Sequence, residues 1–333
     1  MSIGAGGISA LLLAPEHLNF RVLPGEQEVA MTHHVLSTSK PSIYDAVTAQ
    51  IVVAIEAGAG TCIMPWHGGA VPVAMPRNAL TEMSYRGINV VLLWARAAKQ
   101  LYPSGYWASY EQWRKLGAQV RKGERGASIV FYKKLDSGAD ADSGDEAEAP
   151  RFVLRHSHVF NFAQIDGWEL PLPPRPSDVA LNEQVAAFIA AIGAEVRHGS
   201  AIACYRRKED YIEMPAPERF IGTPTSSPTE AYHAVLLHEL THWTGAEHRL
   251  ARVLGKKFGD SDYAFEELVA ELGAAFLCGA FGIVNAPRPD HAAYIARWLE
   301  ILGQDNRAIF KAAGLAQQAV EYLRSLAGSK AGV

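Results

Sequence analysis

The sequence predicts an α+β fold built from two parts that differ in composition. Residues 43–168 mix helical periods with β-rich segments, whereas residues 177–330 are mostly helical and contain two short β-rich segments. Between them, residues 169–176 include four prolines, a composition typical of a semi-rigid linker. With 333 residues, of which 49% are hydrophobic, the chain is long enough for two core-forming domains. We therefore expect an N-terminal α+β domain followed by a mostly helical domain with a small antiparallel sheet.

Two segments lack the periodicity of packed structure. Residues 1–42 show no sustained hydrophobic period, so we expect a flexible N-terminal extension. Residues 136–150 carry six acidic side chains among Ser, Gly and Ala. Such a composition buries too little apolar surface to pack, so we expect a mobile hairpin tip there.

Overall charge and cysteine usage set broad limits on the class of protein. The formal net charge of −4 favours no particular partner. The three cysteines, Cys62, Cys204 and Cys278, are scattered without a Cys-x-x-Cys pair, as expected in a reducing compartment. No apolar run is long enough to span a membrane, and residues 1–13 lack the basic region and cleavage site of a signal peptide. We therefore expect a cytoplasmic protein with no membrane partner.

The first part is predicted to contain three helices and a hairpin. Hydrophobic spacing predicts a helix from Ile43 to about Gly58, and a second helix, capped by Asn89, that ends near Gln100. A short helix is expected over residues 112–116. Alternating, β-rich residues at 127–134 and 151–162 predict two strands that pair with each other.

The second part is predicted to be mostly helical. It begins with a helix over residues 177–192 and ends with a helical tail over residues 291–326. Residues 201–205 and 211–214 are expected to form two short strands.

A well-marked helix follows these strands. Ser227 and Glu230 have the spacing of a capping box, and Pro228 occupies the favoured first helical position. The hydrophobic period continues until Gly245, where the helix is expected to end. The helix therefore extends from about 227 to about 244.

This helix carries the motif His-Glu-x-x-His. His238 and His242 are four residues apart, which places both imidazoles on one helix face, one turn apart, where they can bind a single metal ion. Glu239 follows the first histidine, so its carboxylate is placed to take a proton from a water molecule at the metal. The motif therefore predicts a metal-dependent hydrolytic site with Glu239 as general base.

A third ligand is available on the next predicted helix, which begins near Asp262. It contains Glu266, Glu267 and Glu271, of which the last two are four apart and share a face. Two histidines and one glutamate leave a fourth coordination position open for water, as in catalytic zinc sites. A surface helix with three solvated glutamates is the alternative, and the apolar neighbours of these residues disfavour it.

The spacing of these glutamates resembles the third-ligand helix of the glutamate-type zincins. That resemblance implies that Glu267 is the ligand and that Glu271 orients a ligand histidine, with Glu266 as the alternative ligand. It also implies Zn²⁺ as cofactor, although another divalent metal would fit the same donors. Three side chains, His233, Tyr263 and His248, are candidates for stabilising the oxyanion.

The first part has the composition of a nucleic-acid surface. Residues 44–135 contain eleven basic and five acidic side chains, with eleven aromatic residues among them. Basic side chains neutralise phosphates and aromatic rings stack on unpaired bases, so this mixture suits single-stranded nucleic acid. The alternative is that most of the aromatic residues belong to the core, and we favour it for Trp94 and Trp113.

Several segments of the first part resemble the N-terminal domain of ArdC-type antirestriction proteins, which some plasmid primases share. The segments are Pro65-Trp66, Pro76-Arg77-Asn78, Tyr85-Arg86-Gly87-Ile88-Asn89, residues 107–113, Gly117 and Lys122-Gly123-Glu124. The second part resembles the zincin-like domain of the same proteins at residues 238–245, Arg249-Leu250 and residues 266–272. The likeness extends over roughly residues 43–327.

The resemblance implies a single-stranded-DNA-binding domain followed by a metallopeptidase-like domain. It also implies a protein encoded on plasmids or other mobile elements that protects incoming DNA from host restriction. The candidate DNA-binding residues are Trp66, Arg77, Asn78, Tyr85, Arg86, Asn89, Trp107, Lys122 and Arg125.

Three functional hypotheses follow. The first is an antirestriction protein that binds single-stranded DNA and carries the metal site. The second is a metal-dependent peptidase that uses DNA binding for targeting and cleaves a protein substrate, such as a component of the restriction system. The third is a primase accessory module, which is disfavoured because no carboxylate set for nucleotide polymerisation is visible.

Overall fold

The computed structural model describes residues 41–59, 64, 66–67, 74–134, 152–170, 177–223, 226–255, 261–285 and 291–330. Nearly all of the predicted N-terminal extension, the acidic segment 136–150 and most of the proline-rich segment lie outside the described residues. The described residues form an α+β fold, as the sequence predicts.

The described residues of the N-terminal half, which extends from residue 41 to residue 170, form three α-helices and six strands. The helices are α1 (Ile43–Ala59), α2 (Ile88–Gln100) and α3 (Tyr110–Lys115). The strands are β1 (Arg77–Asn78), β2 (Tyr106–Ala108), β3 (Gln119–Val120), β4 (Ala127–Lys134), β5 (Phe152–Asn161) and β6 (Ile165–Asp166).

The predicted hairpin is confirmed and lies at the edge of a four-stranded sheet. Its strands β4 and β5 pair antiparallel from Ala127 opposite Val159 to Lys134 opposite Phe152. The sheet order is β1-β2-β5-β4, with β1 parallel to β2, and β3 pairs with β6 in a separate two-stranded ribbon.

Asn89 does not cap α2, contrary to the sequence-based prediction. The N-cap position belongs to Gly87, and no side chain caps this end. The Asn89 amide instead donates to the carbonyl of Val130 and accepts from its N–H, both at 2.8 Å. An amide carries both a donor and an acceptor, so it can satisfy the free backbone groups of the edge strand β4. Asn89 therefore ties α2 to the sheet.

In the C-terminal half, residues 177–330, the part that the structure describes contains five α-helices and three strands. The helices are α4 (Asp178–Ile192), α5 (Pro228–Thr244), α6 (Ser261–Phe281), α7 (His291–Gln304) and α8 (Ala308–Lys330). The strands are β7 (Val196–His198), β8 (Cys204–Arg206) and β9 (Tyr211–Met214). The expected antiparallel pair is β8 and β9, while β7, which was not predicted, adds a third strand parallel to β9.

Buried residues of both halves form one hydrophobic core. Trp94 of α2 packs on Phe276 of α6 with ring centroids 5.8 Å apart, and Ile51 of α1 belongs to the same cluster. The Thr48 hydroxyl donates to the Asn306 carbonyl at 2.7 Å, a further contact between the halves. Each fully buried large apolar side chain contributes about 1.5–3 kcal/mol, so this shared core joins the two halves strongly.

Membrane association through a spanning helix has no support in the described part of the chain. None of its helices combines the length and the apolar character that crossing a bilayer requires.

Candidate metal centre

The helix α5 begins with the capping box that the sequence predicts. Ser227 accepts from the Glu230 N–H at 3.2 Å, and the Glu230 carboxylate accepts from the Ser227 N–H at 2.9 Å. Pro228 stands in the first turn. From Leu236 to Thr244 every residue is buried, so the histidine motif lies inside the protein, against α6.

Three side chains converge at the end of this helix. The Nε2 atoms of His238 and His242 lie 3.1 Å apart, and the Glu267 carboxylate lies 3.5 Å from the first and 3.3 Å from the second. Tetrahedral zinc with bonds of about 2.0–2.1 Å separates its ligand atoms by about 3.4 Å. The observed spacings, in which each histidine faces a different oxygen of Glu267, are close to the edges of such a site, and all three residues are buried.

Each histidine turns its other ring nitrogen towards a carboxylate. His242 Nδ1 lies 3.2 Å from Glu266, and His238 Nδ1 lies 3.7 Å from Glu271. Protons on the two Nδ1 atoms leave the Nε2 lone pairs directed at the shared position, which is the arrangement of metal-binding histidines. His238 Nδ1 is buried and has no hydrogen-bond partner among the described residues, so its proton still requires an acceptor. The residues therefore fit a divalent metal.

Glu266 is held away from the ligand position by an arginine. The Arg252 guanidinium donates to Glu266 at 2.8 and 3.1 Å, and both side chains are almost completely buried. Arg252 also donates to the Thr241 carbonyl and the Thr244 hydroxyl at the end of α5. Glu266 thus contacts His242 directly and the end of α5 through Arg252. The geometry therefore favours Glu267 as the third ligand.

The electrostatics of the cluster favour a cation. Burial works to lower the pKa of His242, but Glu267 and Glu266 outweigh burial and raise that pKa to about 10. Burial works to raise the pKa of Glu267, but His242 and His238 hold it well below its usual range. Glu267 thus remains charged in a buried pocket, where negative charge is costly without a positive partner.

Glu271 is fixed by donors from distant parts of the chain. Its Oε1 atom accepts from Trp66 Nε1 at 3.2 Å, and lies 2.7 Å from His67 Nε2 and 3.5 Å from Asn285 Nδ2. His67 and Asn285 are not among the predicted site residues, because neither belongs to a motif around the histidines. His67 lies 204 residues from Glu271, and no local pattern connects them.

Glu239 lies on α5 beside the first histidine and is buried. Its carboxylate is close enough to Cys204 on β8 to add to the raised pKa of that thiol, which burial chiefly causes. The general-base candidate therefore lies near Cys204 of β8, on the helix that carries both histidines.

Among the three oxyanion candidates, only Tyr263 lies beside a proposed ligand. Burial, and then the charge of Glu267, raise the pKa of the Tyr263 phenol. His233 instead lies 3.2 Å from Asn182, and His248 lies 3.3 Å from Asp210 on the surface.

The candidate DNA-binding residues lie in two different environments. The exposed ones are Arg86, Lys122 and Arg125, and the last two lie in the connection between β3 and β4. Arg86 forms an ion pair with Glu321 of α8. These side chains leave charged groups at the surface, where phosphates can approach.

Other candidates are engaged within the fold. Asn78 donates to Gln112 at 3.0 Å and accepts from the N–H groups of Leu80 and Thr81, so it holds the turn after β1. Arg77 and Tyr85 are half-buried, and the amide of Asn89 is paired with β4.

The two tryptophans proposed for base stacking belong to the core. Trp66 and Trp107 are each 1% exposed, the first donating to Glu271 and the second packing on Tyr102 at 5.8 Å. Neither ring offers a face to a base, so we assign no stacking to either. Trp94 and Trp113 are also buried, as predicted.

Two family models divide the chain between them. A model of the N-terminal domain of the anti-restriction factor ArdC matches residues 41–160, and a model of a zincin-like metallopeptidase matches residues 183–315. The second match contains the whole candidate metal cluster.

Curated relatives include one protein of similar length and two larger primases. The uncharacterized protein y4eC of Sinorhizobium fredii (strain NBRC 101917 / NGR234) is 44% identical over 85% of this chain and 92% of its own length. Two DNA primases TraC of Escherichia coli are 33% and 32% identical over 85% of this chain. The matches cover only 27% and 20% of the primases, so this chain corresponds to a minor part of them.

Solved structures extend the likeness to the whole fold. The metal-free crystal structure of the antirestriction ArdC protein from the R388 plasmid has a TM-score of 0.68 and 39% identity, covering 86% of this chain and 98% of that one. Its Mn(II)-bound structure has a TM-score of 0.67 and 38% identity over the same shares. Because the likeness extends over almost the entire antirestriction protein, this chain belongs to the ArdC family of antirestriction proteins.

Proposed function

We propose that this protein binds a divalent metal and single-stranded DNA and protects DNA that enters a cell from restriction. The convergence of His238, His242 and Glu267 within a chain of this family carries the proposal. The cytoplasm is the proposed site of action, because entering DNA meets restriction enzymes there.

Zn²⁺ is the proposed ion, held by the Nε2 atoms of His238 and His242 and by the Glu267 carboxylate. The Mn(II)-bound crystal structure of the R388 ArdC protein supports a divalent ion as the cofactor. When bound, the ion would supply Lewis acidity at the open fourth position. Glu239 would accept a proton from the attacking water and return it to the leaving amine. Glu266 and Glu271 would hold the Nδ1 protons of the two histidines.

Single-stranded DNA is the proposed nucleic-acid partner of the N-terminal half. Lys122 and Arg125 support this assignment because they are exposed and close in sequence, and Arg86 adds a third exposed basic residue. Backbone phosphates supply most of the affinity in sequence-independent binding, so these cations are the expected contacts.

A peptidase that is directed to its substrate by DNA is the second candidate function. The retained Glu239 beside His238 favours it, since a purely structural metal site needs no general base. The substrate would be a protein bound to the DNA or a component of the restriction system. A primase accessory role remains the third candidate, and the matches to the TraC primases support it.

A cellular assay combined with purified protein tests the proposal. Unmodified plasmid DNA is introduced into a restricting host with and without the expressed protein, and transformants are counted. Purified protein is assayed in parallel for metal content and for binding to a single-stranded oligonucleotide. We expect protection, about one metal ion per chain and binding that weakens with salt. Purified wild-type protein that binds neither metal nor DNA, or expression without protection, would contradict the proposal.

A further inference from the structure

The metal-ligand helices are α5, which carries His238 and His242, and α6, which carries Glu267. A short segment of the N-terminal half contacts the second of them. Trp66 and His67 reach Glu271 of α6 across the shared core, with donor–acceptor distances of 3.2 and 2.7 Å. The His67 and Glu271 side chains are 0% and 2% exposed, so water does not compete for these contacts. Hydrogen bonds to a buried carboxylate are among the stronger ones in proteins.

The direction of the His67 hydrogen bond follows from its other nitrogen. The backbone N–H of Met64 donates to His67 Nδ1 at 3.0 Å, so Nδ1 acts as an acceptor. A neutral imidazole then carries its proton on Nε2, which donates to Glu271 Oε1. The contact therefore requires no charge on His67.

The two oxygens of Glu271 have different environments. Oε1 lies within reach of three donors, from Trp66, His67 and Asn285. Oε2 lies 3.7 Å from His238 Nδ1, the buried nitrogen that has no hydrogen-bond partner in the described part of the chain. The donors on Oε1 thus fix the rotation of the carboxylate and hold Oε2 3.7 Å from the Nδ1 atom of the ligand histidine.

We infer that Trp66 and His67 are positioning residues of the metal centre, acting through Glu271 on His238. This inference rests on the proposed metal site, whose three ligands all lie in the C-terminal half. The N-terminal half then contributes more than a DNA surface, because it completes the outer hydrogen-bonding layer of the metal site. Losing such an outer partner typically weakens metal binding by about 10- to 100-fold.

The test compares Zn(II) affinity in full-length variants, measured by competition with a chromophoric chelator. We expect His67→Ala to weaken Zn(II) binding by about 10- to 100-fold. Trp66→Phe removes one donor and keeps an aromatic ring, so a smaller loss is expected. His67→Gln keeps an N–H donor and should recover part of the affinity. The double variant His67→Ala/Glu271→Gln should bind Zn(II) no more weakly than Glu271→Gln alone, because His67 acts through Glu271.

The matched control is Thr48→Val, which also removes a hydrogen bond between the two halves, the partly buried one to the Asn306 carbonyl. It should lower the melting temperature of the metal-free protein and leave the Zn(II) affinity unchanged. If His67→Ala fails to fold, the comparison of Trp66→Phe with Thr48→Val decides the question.

Three results would overturn the inference while wild-type protein still binds Zn(II). They are an unchanged affinity in folded His67→Ala or Trp66→Phe, an additive loss in the double variant, and an equal loss in Thr48→Val. Wild-type protein that binds no divalent metal would instead refute the proposed function, and the inference with it.

Discussion

Gly273 of α6 lies directly against Thr241 of α5, at the point where the two metal-ligand helices cross. A Cβ atom on Gly273 would lie 2.6 Å from Thr241 Cγ2 and 2.8 Å from its Oγ1. Since real side chains do not approach so closely, only glycine allows this crossing. The close crossing brings Glu267 and Glu271, which precede Gly273 on α6, within reach of the histidines of α5.

Gly273→Ala should push the two helices apart. Overpacking of a tight core typically costs about 1–3 kcal/mol, so the free energy of unfolding should fall by about that amount. The metal affinity should fall too, because His238 and His242 lie on α5 whereas Glu267 lies on α6. Urea denaturation and Zn(II) titration measure the two effects. Adding Thr241→Ala to Gly273→Ala removes both clashing atoms, so the double variant should recover much of the lost stability and much of the lost Zn(II) affinity. If the double variant recovers neither quantity, the close crossing of the helices is not the cause of the losses.

Glu267 should matter mainly for metal binding, whereas Glu266 should matter mainly for stability. Glu267→Gln should reduce metal content almost as much as His238→Ala, because both remove a ligand. Glu266→Gln should keep more metal but leave Arg252 buried without its partner, which typically costs about 3–5 kcal/mol of stability. Elemental analysis and urea denaturation of the three variants give the ranking. Greater metal loss in Glu266→Gln than in Glu267→Gln would show that Glu266 is the ligand.

Glu239→Gln should separate hydrolysis from DNA protection. The change keeps the shape of the side chain and removes the general base, which typically lowers the rate by about 10²–10⁴. Metal content and DNA binding should remain, and peptidase activity on any substrate should be lost. We expect protection against restriction to survive, because the basic N-terminal half can shield DNA by itself. Loss of protection in a folded, DNA-binding Glu239→Gln protein would point to proteolysis as the mechanism.

Lys122 and Arg125 should contribute to DNA affinity through charge. Lys122→Glu and Arg125→Glu should each weaken binding to a single-stranded oligonucleotide. For each lost phosphate contact, the slope of log affinity against log salt should decrease by about 0.7. Fluorescence anisotropy at several salt concentrations measures both quantities. Lys208→Glu, on the exposed turn between β8 and β9, is the control. An equal loss of affinity in this variant would show that net charge, and not a DNA-binding surface at Lys122 and Arg125, determines the affinity.

Asp210 should contribute to stability only above acidic pH. Hydrogen bonds from Arg249, and then from Tyr205, lower the pKa of Asp210 from 3.8 to about 2. Because the folded-state pKa is the lower one, the stabilisation is present above pH 3.8 and is lost as the pH falls towards 2. Asp210→Asn should therefore lower the urea midpoint at pH 7, with a difference from wild type that shrinks between pH 4 and pH 3. The control is Asp166→Asn, which alters an exposed carboxylate 3.4 Å from Arg121. This variant should change the urea midpoint little at pH 7 and at pH 3.

The sequence by itself determined the local features of the site. The capping box at Ser227, the four-residue spacing of the histidines and the alternation of β4 and β5 each depend on residues close together in the chain. Such patterns reflect helix and strand geometry, which a short stretch sets for itself. Residue order therefore sufficed to place the histidine motif on a helix and to predict the hairpin.

Only the tertiary structure decided which carboxylate faces which nitrogen. Glu266, Glu267 and Glu271 lie on one short stretch of α6, and their roles depend on how α6 crosses α5 at Gly273. Trp66 resembled a base-stacking residue because apolar burial has no sequence signature that distinguishes a core ring from an exposed one. It lies instead against Glu271, 205 residues away, because packing of the shared core brings the two halves together and no local propensity encodes that contact.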